Sequence, residues 1–163
     1  MTHITAAWSS FFGAEAGAAA ALAGLVFVAV SINLERILEF PQLPLRVFEA
    51  LITLLSVLVV ATFALAPWQP AYAYGLEIGG TGAAVWAAKT WSLLRSGSPR
   101  PSGRRRRLAR LVVNQSAPLP FVIGGALLAA GNAAGLYWVL AGTLLSFMAG
   151  MFDGWVLLIE IKR

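Results

Sequence analysis

Residues Phe11 to Leu34 read FFGAEAGAAAALAGLVFVAVSINL, and this stretch decides the fold. It is long enough and apolar enough to cross a bilayer as a helix, which takes about 20 predominantly apolar residues. Working outward, ERILEFPQLPLR makes a short turn containing Pro41 and Pro44. A second span follows from about Val47 to Ala66 and ends at Pro67-Trp68-Gln69-Pro70. A third runs from about Tyr72 to Leu94 and carries Glu77 and Lys89. The basic stretch 95–110 is the one extended loop. A fourth segment, about Leu119 to Ala130 with an amphipathic lead-in from Leu108, starts beside Pro118 and Pro120. Gly131-Asn132-Ala133-Ala134-Gly135 turns the chain into a fifth span, about Leu136 to Ile159. The expected fold is all-α, a single transmembrane helical domain over residues 1–163 with five spans. The alternative is four spans with a re-entrant fourth segment.

Composition agrees. Hydrophobic residues make up 59% of the 163 and charged residues 12%, against about half and a quarter in soluble domains. Mean hydropathy is +0.77. Water cannot solvate that much apolar surface. Lipid can, because a helix satisfies its backbone groups internally. The chain has no cysteine, which excludes disulfides, iron–sulfur clusters, cysteine-ligated zinc and thiol redox chemistry. The first residues carry no Lys or Arg, so they lack the basic region of a signal peptide and the first helix is expected to be retained.

Basic residues set the orientation. Arg36 and Arg46 flank the first turn, the long loop holds seven arginines from Arg95 to Arg110, and Lys162 and Arg163 close the sequence. Five spans put all of these on one side, with the N-terminus outside and the C-terminus in the cytoplasm. Trp8, Phe11, Phe12, Trp68, Tyr72, Tyr74, Tyr137 and Trp138 fall at the opposite interface, and Phe40, Trp91 and Trp155 at the inner one. The net charge of +5 is concentrated in the loop, so no nucleic-acid partner is expected. Arg104, Arg105, Arg106, Arg107 and Arg110 are expected to meet anionic lipid headgroups, each worth on the order of 1 kcal/mol near the surface.

Small residues recur along three helices: Gly13, Gly17, Ala20, Gly24 and Ser31; Gly75, Gly79, Gly82 and Ala83; Gly142, Ser146, Gly150 and Gly154. Such faces let backbones approach closely, within one bundle or between copies.

Ionisable residues within spans are the candidate functional groups. Glu35, Glu49, Lys89 and Asp153 lie at one depth near the cytoplasmic interface, with Thr53 and Ser56 extending a polar stripe from Glu49. They make either a structural ion-pair cluster or a cavity that binds a cation or relays protons. Glu15 and Glu77, one turn inside the opposite surface, form an acidic pair if their helices are neighbours; otherwise each reaches headgroups and water. The middles of the spans are Ala, Val, Leu and Gly, with no continuous polar path.

Catalytic chemistry is not apparent. The one histidine, His3, precedes the first span, and the one aspartate, Asp153, rules out an aspartyl dyad. No HExxH, phosphate loop or dinucleotide fingerprint occurs, and no enzyme activity, metal or cofactor is expected. The segment AEAGAAAALAGLVFVAVSINLERIL followed by PQLPLR resembles the opening of a group of small bacterial multi-pass membrane proteins, some labelled as modulators of a membrane protease. The resemblance implies a bacterial cytoplasmic membrane and brings no catalytic motif. The expected function is binding, as an accessory or regulatory subunit with a protein partner. The alternative is a small homo-oligomeric ion channel or ion- or proton-coupled transporter.

Overall fold

The computed structural model describes residues 2–40, 43–67, 69–95 and 115–161, with side chains from residue 7 onward except at 71, 95 and 156–161. The arginines at 104–107 and 110 lie outside the described residues. Among the described residues the chain is helical, with no strand. The helices are α1 (Thr2–Ile32), α2 (Leu34–Glu39), α3 (Leu43–Leu65), α4 (Ala71–Arg95), α5 (Leu119–Ala129) and α6 (Gly135–Ile161).

Among the described residues three helices are long and apolar enough to cross a membrane: Ala7–Ile32, Leu43–Leu65 and Gly135–Trp155. The other two segments read as spans fall short for different reasons. Helix α4 has 25 residues, or about 38 Å at the usual rise, but Glu77, Lys89 and four glycines dilute its apolar character. Helix α5 has 11 residues, about 16 Å of a hydrocarbon core that is about 30 Å thick.

The boundaries follow from local chemistry. Asn33 breaks α1 from α2: its side-chain amide donates to the Ala29 carbonyl at 2.8 Å, drawing the side chain back onto the preceding turn. Pro44 and Pro120 sit in first turns, where a missing N–H costs little. Helix α5 ends in a Schellman cap, with the Gly131 amide on the Leu128 carbonyl at 2.9 Å and the Asn132 amide on the Leu127 carbonyl at 2.8 Å. This cap requires a left-handed residue, and Gly131 has φ 82°. The Ala134 amide then donates to the Asn132 side chain at 2.9 Å. Gly131→Val is expected to cost about 1–2 kcal/mol through the left-handed strain. Unfolding in graded SDS measures it, and an unchanged midpoint would contradict the cap.

Helix α3 is the hub. It packs against α1 on one side and against α6 and α4 on others, while α5 lies between α4 and α6. One cluster takes a side chain from every long helix and from α5: Phe12 and Ala19, Val57 and Val60, Tyr74 and Ile78, Phe121, and Val139, all buried. At one end Trp8 stands edge-on to Phe11 and to Tyr137, with ring centroids 5.4 and 5.5 Å apart. This ties the start of α1 to the start of α6. Helix α2 joins a separate small cluster of Ile37, Leu43 and Val47.

Candidate polar sites and the open face of the first helix

Gly82, Val85, Lys89 and Ser92 repeat at spacings of three and four, so they share the buried face of α4. Lys89 is 1% exposed. Its electrostatic partners are Asp153 on α6 and Glu49 on α3, and Asp153 also interacts with Arg46. The Ser92 hydroxyl donates to the Glu49 carboxylate at 2.5 Å. Three of the four residues expected to meet are thus brought together by three different helices. Two cations, Lys89 and Arg46, face two carboxylates, Glu49 and Asp153, so the cluster has no formal net charge. That balance makes a buried lysine tolerable, since an isolated charge out of water costs far more than a paired one.

Glu35 is not among these electrostatic partners. It is exposed on α2, beyond the break at Asn33. Arg46 and Ser92 were not expected in the cluster. Their sequence signal was present, because Arg46 lies three residues before Glu49 and Ser92 three after Lys89. The stripe above Glu49 is satisfied by its own helix: the Thr53 hydroxyl donates to the Glu49 carbonyl at 2.6 Å and the Ser56 hydroxyl to the Thr53 carbonyl at 2.7 Å.

The carboxylates near the other end have separate partners. Glu77 accepts two hydrogen bonds from the Gln69 amide, at 2.9 and 3.2 Å. Glu15 is buried at 6% exposure and receives the Thr143 hydroxyl at 3.5 Å. Helices α1 and α4 do not pack side by side along their lengths. Tyr74, one turn before Glu77 on α4, interacts electrostatically with Glu15.

The three small-residue faces, alike in sequence, are used differently. On α4 and α5 the backbones touch: a Cβ on Gly75 would lie 2.6 Å from the Gly125 carbonyl oxygen, and one on Gly82 would lie 2.9 Å from the Val122 nitrogen. On α6, Gly142 faces the Phe121 ring and Gly150 faces Leu54. On α1, Cβ atoms at Gly13, Gly17 and Gly24 would meet nothing within 4 Å, and Ala20 and Ser31 on the same face are exposed too. This face lies opposite Phe12, Glu15 and Ala19, which are buried.

A groove of about 200 Å³ runs between α1 and α6, with Leu54 among its lining residues and with Leu22, Leu25, Val26, Gly150, Met151, Gly154 and Trp155 around it. It is smaller than the roughly 300–1,000 Å³ of typical ligand pockets and its walls are apolar, so it suits an acyl chain or a side chain. No protein-family model, curated protein or solved structure matches the chain. Function therefore has to be read from these sites and faces.

Proposed function

We propose that this chain is a non-enzymatic integral membrane protein that acts by binding, as an accessory or regulatory subunit docked through α1 onto a helix of a larger membrane complex. The observation that carries this reading is the open glycine face. Gly75, Gly82, Gly124, Gly125, Gly135, Gly142 and Gly150 are taken up by close helix contacts, whereas Gly13, Gly17 and Gly24 form a continuous stripe with no neighbour; Gly80 on α4, also open, stands alone. Glycine in a helix costs about 1 kcal/mol relative to alanine, and three of them on one stripe are compensated when another backbone comes close. Only 11% of the α1 window is buried, against 44% and 39% for the other two apolar spans, so α1 is the helix with surface to offer.

In this proposal α1, α3, α4 and α6 cross the bilayer, and α5, too short to cross by itself, forms the core of a fifth passage locked to α4 through glycine. The N-terminus is outside and the C-terminus is in the cytoplasm of a bacterial cell, in its cytoplasmic membrane. The arginines at 104–107 and 110 bind anionic headgroups on the cytoplasmic face.

Native mass spectrometry from lipid nanodiscs made of the source membrane tests the reading. A stoichiometric foreign partner is expected, and Gly17→Leu, at a position that is exposed and where an added Cβ meets nothing within 4 Å, is expected to release it while the subunit stays folded. A bare monomer in the wild type, or a partner retained by Gly17→Leu, would overturn it.

The cluster of buried Lys89 with half-buried Glu49, Asp153 and Arg46 favours a second reading, a small homo-oligomeric ion channel or ion- or proton-coupled transporter. Asp153→Asn separates the two. Loss of ion flux in liposomes with folding intact supports transport, whereas an effect confined to folding yield makes the cluster structural.

A further inference from the structure

We infer that Glu15, Tyr74 and Thr143 frame a buried site for a small monovalent cation, taken up as Na⁺ or as a proton carried on water. This inference is independent of the docking role of α1, because it concerns the opposite face of that helix.

The three residues come from three helices. Glu15 follows Phe12 by three residues and precedes Ala19 by four, so it lies on the stripe by which α1 enters the core. The hydrogen bond it receives from Thr143 spans 3.5 Å, at the limit of a useful contact. The same hydroxyl is held at 3.0 Å by the Val139 carbonyl. Tyr74 is 6% exposed, and its hydroxyl is buried with no hydrogen-bond partner among the described residues. Tyr74 interacts electrostatically with Glu15 and shares the core cluster with Phe12, one turn before Glu15 on α1, which puts that hydroxyl on the Glu15 side of the bundle. One turn further along α6, the buried Ser146 hydroxyl is also without a partner.

Among the described residues the surroundings supply no compensating charge. Helix α3 brings Val57, Val60 and Ala61 to this cluster. On α4 the nearest ionisable neighbour of Tyr74 is Glu77, which is held by Gln69. On α6, Tyr137 belongs to the aromatic group around Trp8. A carboxylate buried at membrane depth needs a proton or a cation to be tolerated, and the long Thr143 contact together with the unpartnered Tyr74 hydroxyl leaves polar capacity that a bridging species can use. Carboxylate and hydroxyl oxygens, which offer lone pairs, are ligands suited to hard cations and to water. Occupancy would link α1 to α4, a helix it does not pack along, so the ligand would stabilise the bundle by mass action.

Thermal unfolding in nanodiscs, with NaCl replaced by choline chloride at constant ionic strength, tests the site, together with an acid titration in choline alone. For a sodium site, NaCl raises the wild-type Tm and Glu15→Gln abolishes the dependence. For a proton site, the wild type gains stability in choline as pH falls, because the folded state binds the proton, and Glu15→Gln removes that gain. Tyr74→Phe keeps the carboxylate and removes one oxygen. It is expected to weaken the midpoint about tenfold, equivalent to about 1.4 kcal/mol. A wild type that responds to neither ion, a Glu15→Gln protein that responds as the wild type does, or an unshifted Tyr74→Phe midpoint would each overturn the inference. Tyr74→Phe carries the decision if Glu15→Gln does not fold.

Discussion

Gly125→Leu is expected to abolish the folded bundle. A Cβ at this position would run into the Gly79 amide nitrogen and lie 2.5 Å from the Gly79 Cα and 2.6 Å from the Gly75 carbonyl oxygen. Those atoms are backbone, so no rotamer change relieves the overlap; α4 and α5 would have to separate. Overpacking among movable side chains costs about 1–3 kcal/mol, and a clash fixed in two backbones exceeds that range. Alanine at the same position already supplies the offending Cβ and is expected to reduce folded yield. Gly150→Ala is the matched control, since its nearest obstacle is the flexible end of the Leu54 side chain. Size-exclusion recovery in mild detergent and SDS unfolding measure all three. A Gly125→Leu protein with normal yield and midpoint would refute the packing of α4 on α5.

Lys89→Met is expected to have the next largest effect. Lys89 is 1% exposed and answers Glu49 and Asp153, so its removal leaves two carboxylates against the single cation Arg46. Deleting one partner of a fully buried pair costs about 3–5 kcal/mol, and because Glu49 and Asp153 are half-buried the cost here falls below that range; replacing both partners by uncharged groups is often close to neutral. The double variant Lys89→Met, Asp153→Asn is therefore expected to recover much of the loss. The SDS-unfolding midpoints of the two singles and the double give the coupling directly. Additive effects would mean that the two side chains do not interact.

Much of the fold was legible because its punctuation is chemical. Pro67 and Pro70 mark the end of α3, Gly131 marks the end of α5, and the apolar runs between such residues give the helices to within a few positions. The start of α1 was less legible. Residues 2–10 are mixed in polarity and were read as outside the span, yet they continue the helix. The length and polarity of α4 and α5 also separate them from the three apolar spans, a consequence of facing each other through glycine.

The lysine-centred site was visible as far as single-helix spacing reaches. Glu49, Lys89 and Asp153 come from three helices, and those three converge. Glu35 follows Ser31 by four residues and so continues the small-residue face of the first helix; that face is open, and beyond the break at Asn33 Glu35 lies exposed on α2. Partner choice across helices is a tertiary fact. Nothing local distinguishes the glycine stripe of α1 from Gly75, Gly79 and Gly82 of α4, although one set is open and the other packs on α5, and nothing local pairs Glu15 with Thr143 and Tyr74 in place of Glu77.

The most direct test of docking through α1 uses single-cysteine crosslinking in native membranes. The chain has no cysteine of its own, so each introduced thiol reports alone. Cysteines at Gly13, Gly17, Ala20 and Gly24 sample the open stripe, and cysteines at Leu25 and Ile32, which are exposed on another side of the helix, serve as controls. Docking through the stripe predicts crosslinks to a partner protein at the four stripe positions and few at the controls. Equal crosslinking at Leu25 and Ile32, or none at the stripe, would contradict it.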